Sequence, residues 1–384
     1  MGRHLLLVLK NLRRNKRRTF LTVVSTSLSV CLVGMLVAVY GALYARDVSE
    51  ESAQRLVTRH KVSLGQVMPM YYRSRIAAID GVRNVVPMNW FGGTYIDSRP
   101  ENMFARFAVD QEEIFNIYSE LKVPADQLEA FQRDRQAIAI GSSVAERTGL
   151  KLGQRITLVG DIYQFAPELT VRAIFEGPDD FQSFFHQKYL EEGLRDQPGG
   201  GSHAGVFALR LRSADDASRV AMEVDEMFRN APEPTKTETE AAFQLSFITQ
   251  LGNVKLFLLA IAAAIVFTML MVSANTVAMS VRERIREIGV LKTLGFDSAS
   301  VLGLILAEAL LISIVGGILG TLLVPGVGAL AVQVMGPFIP TLVLPTWGIA
   351  VCILTALAVG LCSSAVPATV ASRTNIVDAL RHAG

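Results

Sequence analysis

The sequence is poor in cysteine, with three in 384 residues, and Cys31, Cys352 and Cys362 each sit inside an apolar run. No disulfide framework is open to a polar domain, and the spacing fits no metal site. Such cysteines ordinarily serve as small buried hydrophobes. Catalytic signatures are missing too. There is no H-E-x-x-H, no G-x-S-x-G and no Cys-His pattern, and His60, His186 and His203 lie scattered through the polar middle of the chain. They read as surface or core histidines, and no catalytic residue is assigned. The phosphate loop G-x-x-x-x-G-K-[ST] occurs nowhere, so the chain does not bind ATP in the P-loop manner. No cofactor is assigned to this chain.

Charge is missing in a more orderly way. Thr19 to Ala45, Leu256 to Val281 and Ala309 to Ser372 are runs of 27, 26 and 64 residues without a formal charge. About 20 apolar residues, rising roughly 1.5 Å each, cover the ~30 Å hydrocarbon core. The runs therefore hold one, one and two helical spans. The chain is 51% hydrophobic and 19% charged, which predicts an α-helical membrane protein that also carries a sizeable water-exposed part. The net charge of +2 says little about partners, and nucleic acid is not among those expected.

What is present is placed by these gaps. Residues 1–18 hold seven Lys or Arg and no acid, and that bias puts this end in the cytoplasm. Within it Leu5, Leu9 and Leu12 group against Lys10, Arg13 and Arg14, as in a short basic helix lying in the membrane interface. The first span, 19–45, far exceeds the roughly 7–15 apolar residues of a cleaved signal peptide. It reads as an uncleaved membrane helix. The polar string after it reaches Gly65 without Gly or Pro, so a stalk should continue that helix.

Residues 46–252 form an α+β domain outside the membrane, flanked by stalk helices. Alternation predicts strands at 61–68, 84–96, 102–109, 137–140, 155–159, 169–176 and 205–211. Helices are predicted at 71–79, 111–118, 142–148 and 214–228. The run PGGGS at 198–202 reads as a flexible loop and 232–239 as a linker or short strand. From Glu240 a helical pattern, broken only by Gly252, runs into the second span.

The second span, 253–281, opens the stretch around which the chain is organised. From Asn253 to Ile288 there are 36 residues without Gly or Pro. An unbroken helix of that length would measure ~54 Å and project well past the bilayer. The surplus carries Arg282, Arg284 and Arg286, with Glu283/Arg286 and Arg284/Glu287 spaced i to i+3. Val281, Ile285, Ile288 and Leu291 keep one side apolar. A cytoplasmic segment of this kind, 282–298, is built to dock on something. Leu294-Gly295 suits a helix stop with left-handed glycine, and Asp297 or Ser298 suits the next N-cap. A third span at 299–323, a polar-poor connection at 324–345 and a fourth span at 346–370 follow. Arg373, Arg381 and His382 mark the tail, 371–384, as cytoplasmic.

Glu308 is the one acid inside a hydrophobic span. A charge at a helix centre costs ~2.5–3.5 kcal/mol on insertion scales, so this carboxyl should face protein or water. It is either an internal polar contact remade as helices move or an interfacial residue reaching back to the headgroups. Gly316 and Gly320 form a G-x-x-x-G, with Ser313 and Gly317 beside them. Small residues at that spacing let helices approach closely in lipid, which is favoured here over mere flexibility.

The string RERIREIGVLKTLG, set between two spans, is similar to the segment of the MacB/FtsX/LolC-LolE permeases of ATP-binding-cassette transporters that meets the ATPase. AIAIGSSVAERTGLKLGQRITLVG resembles their extracytoplasmic domain, and RTNIVDALR their closing segment, with Ile376 where a proline is usual. The resemblance covers nearly the whole chain in order. It implies that Arg282, Arg284, Arg286, Glu287, Ile288, Gly289, Lys292 and Gly295 form the ATPase-coupling segment. It also implies two copies of a separate ATPase, which bind the ATP and Mg, a second permease copy in a homodimer or close heterodimer, and a periplasmic adaptor. The setting implied is the bacterial inner membrane, with both termini cytoplasmic and the large domain periplasmic. The permease itself is then not an enzyme. It transmits movement along the stalks to its outer domain, exporting or extracting amphipathic cargo such as lipids, lipoproteins, peptides or hydrophobic drugs. The alternative is an FtsX-like signalling permease that moves nothing and activates a cell-wall hydrolase; the outer domain's length favours the exporter. Unlike the macrolide-exporter branch, this chain shows no fused nucleotide-binding domain, which weakens the transfer of that branch's substrates.

Overall fold

A computed structural model of the protein describes residues 15–44, 50–178, 180–197, 202–250, 252–335 and 342–374. The interfacial helix expected over residues 5–14, most of the PGGGS loop and the tail beyond 374 lie outside the described residues. The chain divides into an inserted unit, Asp47–Gln250, and a unit built from the flanking apolar segments. In chain order the elements are α1 (Lys16–Tyr44), α2 (Glu50–Ala53), β1 (Arg55–His60), β2 (Met68–Pro69), α3 (Tyr72–Ala77), β3 (Val82–Trp90), β4 (Ala105–Val109), α4 (Ile114–Ile117), α5 (Ala125–Arg133), β5 (Ala137–Gly141), α6 (Ser142–Thr148), β6 (Arg155–Thr157), β7 (Glu168–Phe175) and β8 (Gln182–His186). They continue with α7 (Gln187–Gly193), β9 (His203–Ala204), β10 (Val206–Leu211), α8 (Ala217–Met227), β11 (Thr235–Thr239), α9 (Glu240–Gln250), α10 (Val254–Glu283), α11 (Ile285–Thr293), α12 (Ser298–Met335) and α13 (Thr346–Arg373).

The inserted domain is a nine-stranded sheet in the order β11-β1-β10-β3-β4-β8-β5-β7-β6, antiparallel except at β4–β8 and β5–β7. Its middle is covered on both faces. In β8, Phe184 packs with Phe131 and Phe175, while Phe185 packs on the other face with Phe91 and Ile138. A strand buried on both sides shows no alternation, and a short apolar run does not separate strand from helix. For that reason β8 escapes the sequence reading. Helix α5 escapes it too, because Phe131 is the one residue of that helix that is fully buried.

Strand β1 corrects the expected stalk. All six residues of RLVTRH are buried, and the strand pairs with β10 on one side and β11 on the other. Arg55 and Arg59 look like a solvated helix face, but each meets a carboxylate: Glu240 lies 2.7 Å from Arg55 and Glu238 lies 2.9 Å from Arg59. Long-range pairing overrides the local pattern. The strand expected at 61–68 is likewise corrected, since residues 61–67 turn, with the Gly65 N–H donating to Ser63 Oγ at 3.1 Å.

His186, at the end of β8, is 3% exposed with Nε2 2.7 Å from the Phe131 carbonyl. Burial pushes its pKa below the ordinary 6.5, against the opposing pull of that carbonyl and of Asp134. The neutral ring donates from Nε2. Because the unfolded chain takes up the proton first, stability is complete above about 6.5 and is lost as pH falls from there towards the lowered folded value. The denaturation midpoint of the inserted domain, followed by Trp90 fluorescence, should therefore fall between about pH 7.5 and about pH 5.5. His186→Gln keeps an N–H donor without the titration, and it should flatten that slope; an unchanged slope assigns the effect elsewhere.

In the flanking unit, α1, α10, α12 and α13 are each long and apolar enough to cross a membrane. The second of them begins after Gly252, whose φ of +101° suits glycine, and Asn253 caps it by accepting from the Leu256 N–H at 3.0 Å. The small residues of α12 serve two neighbours. A Cβ placed on Gly316 would lie 2.7 Å from Thr26 of α1, and one on Gly320 would strike the Ser27 carbonyl. On the other side, a Cβ on Gly317 would lie 2.7 Å from Ala356 of α13, and one on Gly360 would lie 2.6 Å from Ser313 Oγ. Sequence reasoning missed the complementary face on α13, where Gly348, Cys352, Ala356, Gly360, Ser364, Ala368 and Ser372 recur every fourth residue and all are buried. The period-four small-residue pattern was the available signal.

The third span corrects a boundary. It does not stop at 323 but continues through Pro325 to Met335. Pro325 removes only one backbone donor, a local loss that a helix of this length tolerates.

Candidate functional site

The basic end of the helix bundle holds the residues singled out in the sequence. The long helix expected from Asn253 to Ile288 is broken: α10 ends at Glu283, and Arg284 stands at φ −115°, ψ 16° before α11 begins. No Gly or Pro causes this. The break accompanies side-chain contacts on both sides of it. Glu283 takes an ion pair from Arg18 of α1 at 2.5 Å, and Arg18 also donates to Ser280 at 2.8 Å. Arg284 turns the other way, with Nη1 2.8 Å from Glu308 of α12 and Nε 3.3 Å from Glu287. Lys292 reaches the end of α13, donating to the carbonyls of Ser372 and Thr374 at 2.7 and 2.8 Å. One short stretch is thus clipped to α1, α12 and α13 in turn.

Helix α11 stops as its sequence dictates. Gly295 adopts φ +96°, its N–H donates to the Lys292 carbonyl, and the Phe296 N–H donates to Leu291, the paired bonds of a Schellman motif. Asp297 then accepts from the Ser300 N–H at 3.0 Å to cap α12, and these bonds to Ser300 hold its carboxyl below the ordinary value.

The apolar side formed by Val281 and Ile288 is occupied within the chain. Ile288 is 6% exposed and packs with Val301, Ile305, Phe296 and Ala371. Gly289 is buried beside it. The eight coupling residues expected from the sequence therefore fall into two groups: Arg284, Ile288, Gly289 and Lys292 face inward, while Arg282, Arg286 and Gly295 are exposed and Glu287 is half-buried against Arg284. Two apolar side chains remain in solvent, Val290 at 47% and Leu294 at 72%. They follow Arg286 at four-residue steps and make one outward line. The sequence reading missed them because it counted only the inward periodicity.

Behind this segment lies a cavity of about 60 Å³, lined by Ser280, Thr276, Ser313, Arg284 and Glu308 among others. It has room for a few ordered waters. Among the described residues there is no cluster of three or more His, Cys, Asp or Glu placed to hold a metal.

The inserted domain has its own buried ionic centre. Arg55 at the start of β1 meets Glu240 at the start of α9 and lies with Nη1 2.7 Å from Glu120, although that second contact is misaligned for a hydrogen bond. The guanidinium also stacks 4.8 Å from the Tyr118 ring. Burial opposes its charge, but Glu240 and Glu120 hold its pKa above the ordinary value. Burial likewise pushes the Tyr118 phenol well above its usual range. Next along β1, Arg59 and Lys236 hold the Glu238 carboxyl below its ordinary value although burial opposes this.

Four membrane-length helices, an α/β domain inserted between the first two and a short polar-clipped helix between the second and third fit a multi-pass membrane protein. The family model for the MacB-like periplasmic core domain matches residues 19–227, more than half the chain, and that for the FtsX-like permease C-terminal region matches residues 240–376. The chain belongs to this MacB/FtsX family of ATP-binding-cassette transporter permeases.

An ABC transporter permease of Methanocaldococcus jannaschii is 21% identical over 330 residues, 82% of this chain and 80% of that one. The YknZ permease of Bacillus subtilis is 26% identical over 206 residues, and the chain spans 49% of its length. The YvrN permease of the same organism is 35% identical over 109 residues, 28% of this chain and 26% of its own. Among solved structures, the periplasmic region of MacB from Actinobacillus actinomycetemcomitans aligns with TM-score 0.37 and 12% identity, covering 54% of this chain and 97% of that one. The extracellular domain of YknZ aligns with TM-score 0.35 and 13% identity, covering 48% and 99%.

Proposed function

We propose that this permease couples ATP hydrolysis by a separate ATPase to movements of its inserted domain, and so exports or extracts amphipathic or hydrophobic cargo. The observation that carries the reading is α11: a nine-residue helix at the basic end, seated inward by Ile288 and presenting Arg286, Val290 and Leu294 outward. An apolar pair beside an exposed cation fits a groove on a partner protein. On this reading the ATP is bound by a partner ATPase, since no phosphate loop occurs among these 384 residues. Two ATPase copies, a second permease copy and a periplasmic adaptor complete the assembly.

The reading requires both ends of the chain in the cytoplasm and the inserted domain across the bacterial inner membrane, as the basic residues at 1–18, 282–292 and 373 argue. Single cysteines at Glu101, Glu226 and Val290, in a background freed of Cys31, Cys352 and Cys362, should report this. An impermeant thiol reagent applied to intact spheroplasts should label the first two and spare Val290→Cys. Protection of both domain positions would sink the topology and the coupling role with it.

A further inference from the structure

The break at Arg284 needs a cause that the local sequence does not supply. Arg, Glu and Ile all continue helices readily, and sharp kinks otherwise arise at Pro, Gly or a side chain that intrudes on the ladder. The apolar cluster around Ile288 seats α11, but apolar contact is non-directional and sets no angle. The directional contact is the Arg284 fork, which takes Glu308 with Nη1 at 2.8 Å and Glu287 with Nε at 3.3 Å. Both ends of the Glu308 pair are largely withdrawn from solvent, at 19% and 13% exposure. A small cavity, lined mostly by apolar side chains, lies directly beside them.

We propose that Arg284 is a positioning residue that fixes the angle of α11, with Glu308 of α12 as its seat, so that motion imposed on α11 is handed to the third span through this ion pair. The inference rests on the coupling role given to α11 above. The cavity is part of the device: water entering it beside Ser280, Thr276 and Ser313 would give both charged groups alternative partners while the pair shifts, and a close-packed seat would not. The adjacent Arg18–Glu283 and Lys292 contacts tie the same stretch to α1 and α13, so the Glu308 seat is the ionic link to α12, beside the apolar contact of Ile288 with Val301 and Ile305.

The test uses the full chain in lipid nanodiscs and hydrogen–deuterium exchange. Glu308→Gln keeps the side-chain shape and removes the charge; amides 285–293 should exchange about tenfold faster while those of α8 stay unchanged. The swap Arg284→Glu/Glu308→Arg should return exchange to within about threefold of wild type. If Glu308→Gln inserts poorly, Arg284→Met/Glu308→Leu replaces the pair with apolar groups of similar size, which buried pairs tolerate, and should show the same rise. Wild-type exchange in whichever variant inserts, or no recovery in the swap, overturns the pair as the device. The outward face is intact in Glu308→Gln, so ATPase capture should stay within about twofold while permease-stimulated hydrolysis falls at least about fivefold. Normal stimulation overturns the positioning role. A wild-type chain that captures no ATPase overturns the coupling reading instead, and the exchange data then judge the ion pair alone.

Discussion

Replacing Val290 and Leu294 together by Asp should abolish capture of the ATPase while leaving the permease folded. The two side chains are 47% and 72% exposed, so neither substitution opens a cavity in the bundle. Burying an aliphatic side chain in a partner's groove is worth about 1.5–3 kcal/mol, and a carboxylate in its place adds a desolvation cost. The pair should lose at least ~100-fold in affinity, about 2.7 kcal/mol. Titration of labelled ATPase against permease in nanodiscs measures it. The inward neighbour gives the contrast: Ile288→Ala should destabilise α11 without touching the docking line. Undiminished binding in the double Asp variant would show that this face meets nothing.

The second large effect is expected in the inserted domain. Arg55→Met removes a cation shared by Glu240 and Glu120 and leaves two poorly hydrated carboxylates beside the Tyr118 ring. Breaking such a centre costs about 3–5 kcal/mol, and the lower figure applies here because Glu120 keeps a side-chain exposure of 20%. For a domain of this size that is a fall of roughly 6–10 °C in the first thermal transition, read from Trp90 emission. Adding Glu240→Gln should restore part of it by removing one of the two carboxylates that repel each other once the cation is gone. A variant within about 1 °C of wild type would mean that the arginine is held by packing alone.

Much of this molecule was legible because the sequence states it twice. The uncharged runs give both the length and the composition of a span, and α6 at Ser142–Thr148 falls where a local pattern placed it. What stayed hidden depended on distant partners. Strand β1 reads as helix until β10 and β11 flank it, β8 loses its alternation because both faces are covered, and Pro325 reads as a helix end although the helix runs through it. The coupling segment shows the same division. Its charges and its glycine stop were readable, but the greasy side that looked ready for a partner is taken up by Val301 and Ala371. Glu287, an attractive position for a charge reversal, leans on Arg284, so altering it would disturb the break as well as the surface.

The seven small residues spaced by four along α13 bear on how such a bundle diverges. At most positions of a membrane helix any apolar side chain satisfies the lipid, so drift there is nearly unopposed. On this line volume is capped at Gly348 and Gly360, where the side chains of Val37 and Ser313 on neighbouring helices occupy the space a larger side chain would need. A lineage can therefore rewrite nearly all the letters of this helix and keep its packing, provided that every fourth one stays small.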